Sequence, residues 1–148
     1  GSKESILYEI SSRQLAKMNA VADALAVREK EPEQRLRGLA RALMCNISEH
    51  RAEWTVFFRE YHVLTAGRRD TIIRERERYE SHWQHTLEQN VREGKFRALP
   101  PLMVKGLLGM FNYSYVWITS TGPVSPDVVA DDFLDIIFSG MRIEAKEQ

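Results

Sequence analysis

The chain has 148 residues, of which 43% are hydrophobic, enough for one domain with a substantial core. Lysine plus arginine and aspartate plus glutamate each number 21, so a net charge of zero offers no surplus for neutralising DNA phosphates or an anionic membrane. No apolar stretch is long enough to cross a bilayer, and a single cysteine, Cys45, excludes an internal disulfide. We therefore expect one cytoplasmic domain over residues 1–148.

The helical spacing of apolar residues accounts for nearly the whole chain and predicts an all-α fold of six helices. The first helix is expected over residues 3–28. The second begins at Pro32, because proline suits the first position of a helix and disfavours helical geometry in the residue before it. A third follows His50 with an unusually aromatic stripe, and Gly67 is expected to end it.

The fourth helix is expected over residues 68–93, with Gly94 at its end. Its polar face alternates in charge, so that Arg76 and Glu80 can pair one helical turn apart. Such an alternating segment usually forms a solvated face.

The last two helices are apolar around most of their circumference. The fifth opens at Pro100 and Pro101 and is expected to reach Ile118. The sixth starts at Ser125, where a serine cap is followed by a proline at the first helical position. A helix that is apolar nearly all round must be buried on more than one side. Only a narrow acidic stripe interrupts the sixth helix, and it consists of Asp127, Asp131 and Asp135.

A chain of this length cannot easily cover both of these helices on every side, so a partner subunit is expected to cover the second face. The two helices would then pack against their symmetry mates as the four-helix bundle of a homodimer. The alternative is that they are the central helices of a monomer. The predicted dimer seam comprises Met103, Gly106, Met110, Tyr113, Trp117, Val129, Phe133, Ile136 and Ile137.

Three segments carry a family likeness. Residues 2–7 (SKESIL) resemble the stretch that follows the recognition helix in TetR-type regulators, where the chain enters a long connecting helix. Residues 93–97 (EGKFR) and 109–117 (GMFNYSYVW) resemble the regulatory halves of KstR-like and fatty-acid-responsive repressors. The resemblance covers essentially the entire chain, and the order and length of the helices carry more of it than any single motif.

The resemblance implies a six-helix TetR-type regulatory domain whose last two helices form the dimeric bundle. It also implies that a small molecule enters a cavity between the connecting helix and the middle helices, and that the connecting helix then moves like a lever and releases the operator. The DNA-binding helix-turn-helix is absent from this chain, so the resemblance allows DNA contact only through a preceding domain. Releasing DNA requires an effector with different affinity for the two states.

The inward stripes of the second to fifth helices contain more aromatic residues than a core built mainly from leucine, isoleucine and valine. Aromatic walls with a few polar tips are typical of small-molecule cavities, although core packing is the alternative for each residue alone. The predicted cavity lining comprises Trp54, Phe58, Tyr61, Tyr79, Trp83, Phe111 and Tyr115.

Two polar residues lie on or beside these stripes. Arg76 is placed to bind a carboxylate or phosphate. The alternative is that it lies at the edge of the apolar stripe, with its aliphatic carbons packed and its guanidinium in water. Asn112 interrupts two apolar seams, and its amide needs partners, which the backbone or a partner subunit could also supply. Together they predict a small hydrophobic or amphipathic effector. The family likeness tilts the choice towards a fatty-acyl or steroid-derived acid, or its coenzyme A thioester.

Enzymatic interpretations have little support. His82, His85 and Glu88 share a helix face, but such a set is common by chance on a polar helix. Cys45 lies in an apolar run and is interpreted as a small core side chain rather than a nucleophile. We expect no catalysis, no metal, no cofactor and no membrane association. A ligand-free helical dimerisation or interaction module is the main alternative to a sensor domain, and a small helical enzyme is the third.

Overall fold

A computed structural model describes residues 2–143, and within them the chain folds into six α-helices joined by short connections. Two of the connections contain 3₁₀ turns, Tyr61–Val63 and Tyr113–Val116. The prediction of an all-α, six-helix fold is confirmed. The helices are α1 (Lys3–Arg28), α2 (Pro32–Glu49), α3 (Arg51–Glu60), α4 (Ala66–Arg92), α5 (Met103–Asn112) and α6 (Pro126–Met141).

Local signals set several of these helix ends as the sequence predicts. The Ser125 hydroxyl accepts a hydrogen bond from the Val128 N–H at 3.3 Å, and Pro126 occupies the first helical position of α6. After α4, Gly94 adopts a positive φ of 76°, a conformation that a side chain would strain. The chain can therefore turn sharply after the longest helix of the domain.

The predicted end of the third helix is wrong. Helix α3 stops at Glu60, and Gly67 lies in the first turn of α4 instead. Thr65 has an extended backbone, and its carbonyl accepts the N–H of Arg69 at 2.7 Å, so the new helix begins at Ala66, one residue before the glycine. A glycine so close to a helix start breaks no completed turn, so it does not act as a stop signal here.

The fifth helix is shorter than predicted at both ends. A turn in which the Met103 N–H donates to the Pro100 carbonyl at 3.0 Å precedes it, and a 3₁₀ turn replaces its last residues before Ile118. The Arg51 guanidinium on α3 donates to the carbonyls of Tyr115, at 2.8 Å, and Val116. The Arg51 side chain therefore supplies hydrogen bonds to backbone carbonyls that have no partner within the helix. These bonds determine the direction of the chain after α5.

Helix α2 lies at the centre of the domain, in contact with α1, α4 and α6. Leu36, Ala40, Met44 and Ile47 on its inner faces have no exposed surface. Each large apolar side chain contributes about 1.5–3 kcal/mol when it is fully buried, so α2 organises the core against which the other helices pack. The connection from α1 to α2 is short, which makes α1 and α2 antiparallel neighbours.

The acidic stripe of α6 faces α2. Asp131 accepts hydrogen bonds from Arg37 at 2.9 Å and from Arg41 at 2.9 and 2.7 Å, and Asp135 accepts one from Arg37 at 3.1 Å. Hydrogen bonds from Arg41, and then from Arg37, hold the pKa of Asp131 below its usual value. The stripe therefore fastens α6 to the central helix and leaves other faces of α6 free.

We expect Asp131→Asn to lower the free energy of unfolding by about 1 kcal/mol, because the ion pairs are partly exposed. The folded-state pKa of Asp131 lies below the unfolded value of 3.8, so this contribution is present above pH 3.8 and is lost as the pH falls through the folded pKa. Urea denaturation at pH 7 and pH 3 measures both effects. Asp132→Asn, at an exposed residue next to it, is the matched control. A wild-type advantage that persists unchanged at pH 3 would contradict this account.

Candidate functional site

Several of the predicted binding residues converge on one internal cavity between α1, α2, α3, α4 and α5. The predicted residues on its wall are Trp54, Phe58, Arg76, Tyr79 and Asn112. The remaining wall was not predicted as part of the site, and two of its residues lie on α1 and α2, which carry no predicted site residue. It consists of Leu15, Leu43, Phe57, Glu80 and Leu108.

The cavity is small. Its volume is about 30 Å³, whereas one water molecule needs roughly 10–15 Å³ measured in the same way. Small-molecule sites usually enclose about 300–1,000 Å³. In this conformation the aromatic side chains therefore nearly fill the site, and a bound organic molecule requires them to move apart.

The other predicted lining residues form a second layer behind the wall. Tyr115 packs against Phe58 with ring centroids 5.1 Å apart, and Trp83 packs against Phe111 at 5.5 Å. Tyr61 lies below Arg76 rather than on the cavity surface. These four aromatic residues, Tyr61, Trp83, Phe111 and Tyr115, support the wall without lining it.

Arg76 is a cation without a carboxylate partner among residues 2–143. The predicted pair with Glu80 is not formed, because Glu80 pairs with Lys105 of α5 at 2.7 Å. The guanidinium of Arg76 lies over the rings of Phe57 and Tyr61, at 5.5 and 5.4 Å from their centroids. The Arg76 guanidinium thus borders the aromatic cavity. Within the described chain its N–H groups donate no hydrogen bond to a protein acceptor.

Two buried polar groups next to the cavity have no hydrogen-bond partner in the structure. They are the phenol of Tyr79, which is 7% exposed, and the indole N–H of Trp83, which is fully buried. Burial raises the pKa of the Tyr79 phenol, and the nearby Trp83 indole only partly offsets the rise without reaching hydrogen-bonding geometry. By contrast, the Trp54 indole donates to the Asn46 side chain at 2.6 Å. Unpaired buried polar groups are costly, and the described chain also has one on each of five residues that do not line the cavity, Ser12, Gln14, Asn19, Arg69 and Asn90.

Removing the Tyr79 hydroxyl should stabilise the domain. We expect Tyr79→Phe to raise the free energy of unfolding by about 1 kcal/mol, because a buried group without a partner costs about 1–3 kcal/mol. Tyr8→Phe on α1, outside the cavity, is the control and should change stability by less than about 0.5 kcal/mol. Urea denaturation measures both variants. A loss of stability in Tyr79→Phe would mean that the hydroxyl has a partner in solution.

Polar contacts join α1 to a different face of α4. The Asn19 amide on α1 donates to the backbone carbonyl and the side chain of Glu75, both at 3.2 Å. Asp23 on α1 pairs with Arg78 at 2.5 Å and with His82 at 2.9 Å. Helix α4 therefore presents one face to the cavity and another to α1, a connection that the apolar pattern of α1 did not predict.

The structure bears on the alternatives of a metal site, a reactive cysteine and a membrane-spanning helix. Among residues 2–143 no cluster of His, Cys, Asp and Glu could hold a metal ion, and His82 is bound to Asp23 instead. Burial, with a hydrogen bond to Asp127, raises the pKa of Cys45 to about 11, so its thiol stays protonated at neutral pH and is a poor nucleophile. No helix within the described part of the chain is long and apolar enough to cross a membrane.

A family model described as "Tetracyclin repressor-like, C-terminal domain" matches residues 29–141, which include α2 to α6 and all of the cavity wall except Leu15. The chain belongs to this family. No curated protein matches its sequence significantly.

Solved structures of TetR-family regulators share the fold. PfmR, a TetR-family regulator from Thermus thermophilus, is 27% identical with a TM-score of 0.86, and the match covers 98% of this chain and 79% of PfmR. The ketosteroid regulator KstR2 of Mycobacterium tuberculosis is 25% identical with a TM-score of 0.88, over 97% of this chain and 74% of KstR2. AibR, solved with isovaleryl coenzyme A and operator DNA, is 21% identical with a TM-score of 0.79, over 93% and 75%. PfmR and KstR2 are both described as transcriptional regulators.

In this TetR-family domain, α6 and the 3₁₀ turn that follows α5 expose large apolar and aromatic side chains. Ile136 is 71% exposed, Tyr113 63% and Trp117 48%, although all three are large and apolar or aromatic. Val129, in contrast, is buried inside its own chain and has little surface to offer a partner. The other residues of the predicted seam are at least partly exposed, and they are Met103, Gly106, Met110, Phe133 and Ile137.

Proposed function

We propose that this chain is the effector-sensing and dimerisation domain of a TetR-family transcriptional repressor. A small amphipathic molecule binds in the aromatic cavity, which α1 to α5 line. Its binding releases the full-length regulator from the operator, which the regulator contacts through a helix-turn-helix domain. The observation that carries the proposal is the small aromatic cavity, which an unpaired guanidinium and two buried polar groups without partners border. Buried polar groups usually have hydrogen-bond partners, and a ligand in the cavity can supply them.

The chemistry of the wall favours an effector with an apolar body and an anionic end. Trp54, Phe58 and Leu108 can surround the body, while Arg76 can bind a carboxylate or phosphate and Asn112 can orient it. KstR2 is a ketosteroid regulator and AibR binds isovaleryl coenzyme A, which supports a steroid-derived or fatty-acyl acid, or its coenzyme A thioester. The proposed site comprises five wall residues, Trp54, Phe58, Arg76, Tyr79 and Asn112, and four aromatic residues behind them, Tyr61, Trp83, Phe111 and Tyr115.

Helix α4 provides the route from the site to the connecting helix. An effector must enlarge a cavity of about 30 Å³, and α4 carries Arg76 and Tyr79 on the cavity side and Arg78 and His82 on the α1 side. Movement of α4 therefore changes its contacts with α1. The effector favours the conformation with the enlarged cavity because it binds that conformation more tightly than the one seen here. An effector with equal affinity for both conformations would leave their populations unchanged.

We propose a homodimer in which the exposed faces of α5 and α6 pack against their symmetry mates as a four-helix bundle. Exposed apolar patches of this kind mark interaction surfaces, and a two-fold interface places the same patch on both subunits. The acidic stripe of α6 is already paired with α2, so it does not obstruct the seam. Ile136, Trp117 and Tyr113 have the most surface to bury.

Calorimetric titration of a long-chain acyl thioester against a lipophilic cation of similar size tests the proposed effector chemistry. We expect the thioester to bind more tightly, and Arg76→Ala to weaken its binding at least about tenfold, since a hydrogen bond to a charged group contributes about 1.5–3 kcal/mol. Arg74→Ala, at an exposed arginine of the same helix, is the matched control. Equal or tighter binding of the cation would overturn the assignment. Unchanged thioester binding in Arg76→Ala would remove Arg76 from the site.

A second function, a dimerisation module without an effector, is favoured by one observation, the small volume of the cavity. The two functions differ in thermal denaturation with a panel of fatty acids, acyl thioesters, steroid acids and aromatic compounds. A sensor is stabilised selectively, because a ligand that binds only the folded state raises the unfolding midpoint by mass action. A dimerisation module is stabilised by none of them.

A further inference from the structure

A second cavity lies where α1, α2 and α4 meet, separate from the aromatic one. Its volume is about 270 Å³, just below the range usual for small-molecule sites, and no residue lines both cavities. Leu39, Ala22 and Ala26 provide an apolar surface. The polar part of its wall consists of Arg35, His82, His85 and Thr86.

Arg35 gives the wall a positive charge, and the Asp23 carboxylate, which binds His82, does not itself line the cavity. The Arg35 guanidinium donates to the Glu29 backbone carbonyl at 2.9 Å and to the neutral Gln89 amide at 2.8 Å, and it has no ion pair within residues 2–143. An arginine has five N–H donors, so donors remain after these two bonds. None of the residues that line the cavity is acidic.

The two histidines differ in their availability. His82 is occupied by Asp23 at 2.9 Å, and Asp23 is shared with Arg78. His85 is exposed and has no hydrogen bond within the described chain. Thr86 is buried, and its hydroxyl donates to the His82 carbonyl at 2.6 Å. Arg35 and His85 are therefore the two groups on the wall that can donate to a ligand.

We propose that this second cavity binds a small organic monocarboxylate with a short apolar body. Arg35 and His85 donate to the carboxylate, and the body rests on Ala22, Ala26 and Leu39. The ligand touches α1, α2 and α4 at once, so its binding fastens α1 in the position seen here. Within the proposed repressor, it acts at a site apart from the effector and opposes movement of the connecting helix.

Benzoate and its neutral analogue benzamide are suitable probes, because they have nearly the same shape and differ in charge. In calorimetric titrations we expect benzoate to bind the wild-type chain and benzamide to bind at least about tenfold more weakly. We expect Arg35→Gln to weaken benzoate binding at least about tenfold, and His85→Ala to weaken it several-fold. His85 makes no hydrogen bond within residues 2–143, so its variant keeps the test valid if Arg35→Gln folds poorly. Arg74→Gln, at an exposed arginine that does not line this cavity, serves as the control.

Three results would overturn the proposal. The first is the absence of benzoate binding at millimolar concentration, and the second is equal affinity for benzoate and benzamide. The third is full benzoate affinity in both Arg35→Gln and His85→Ala. If benzoate binding is instead lost in Arg76→Ala, the anion occupies the aromatic cavity, which contradicts the second site while supporting the proposed effector site.

Discussion

Ile136→Asp is expected to convert the chain from a dimer to a monomer at micromolar concentration. Ile136 is 71% exposed in one chain, on the face of α6 where the partner is proposed to pack. Burying an isoleucine contributes about 1.5–3 kcal/mol, and burying an unpaired carboxylate costs several kcal/mol more. A two-fold interface contains the substitution twice, so the dissociation constant of the dimer should rise at least about 1,000-fold.

Sedimentation equilibrium measures this effect directly. We expect the wild-type chain to have twice the 17.2 kDa mass of one chain, and Ile136→Asp to have the mass of one. Val27→Asp is the matched control, because Val27 is an apolar residue of α1 that is 73% exposed and lies outside the proposed seam. A monomeric wild type, or a dimer that persists in Ile136→Asp, would contradict the proposed bundle.

The second large effect is expected for Phe111→Ala. Phe111 is fully buried, and its ring contacts Trp83 with centroids 5.5 Å apart and Phe133 at 5.8 Å. Truncating a buried phenylalanine costs about 3–5 kcal/mol, a large part of the 5–15 kcal/mol by which a domain is usually stable. Because Phe111 joins the layer behind the cavity to the face of α6, the loss should affect the whole domain.

Urea denaturation at one fixed protein concentration is the appropriate measurement, since dimerisation adds to apparent stability. For Phe111→Ala we expect a lower midpoint with an unchanged slope. Leu102→Ala, at a side chain that is 75% exposed, should stay within about 0.5 kcal/mol of wild type. A cost below about 1 kcal/mol for Phe111→Ala would mean that this layer is loosely packed.

Helices whose ends depend on neighbouring residues were predictable from sequence. The first helix has the predicted bounds, the proline and serine signals mark the starts of α2 and α6, and Gly94 follows the end of α4. Each of these signals acts within one helical turn. The long apolar stripes likewise made the type and order of the helices clear.

Features that depend on distant residues were not predictable. The 3₁₀ turn after α5 is held by Arg51 of α3, which lies about sixty residues earlier in the sequence. An isolated antiparallel bridge joins Phe96 to Arg142, and no local pattern indicates which two segments pair. Helical spacing also cannot reveal that Glu80 prefers Lys105 to Arg76, because that choice depends on how α4 and α5 pack.

The sequence predicted which side chains face the candidate site, but it did not predict the volume of the cavity. The spacing of Trp54, Phe58, Tyr79 and Arg76 places them on inward faces, and the structure brings them to one wall. Whether aromatic residues on such faces enclose a void depends on their side-chain conformations in three dimensions, and here they nearly close it. The buried polar contacts of α1 were also not predictable, because a residue such as Asn19 finds its partner on another helix.

A crystal structure of the chain with a long-chain acyl ligand tests the central claim most directly, because it shows both where an effector binds and whether the site opens. We predict ligand density in the aromatic cavity, in contact with Trp54, Phe58 and Tyr79 and with its anionic end near Arg76. The cavity should have grown from about 30 Å³ to at least about 300 Å³. Ligand bound elsewhere while these side chains keep their present packing would contradict the claim.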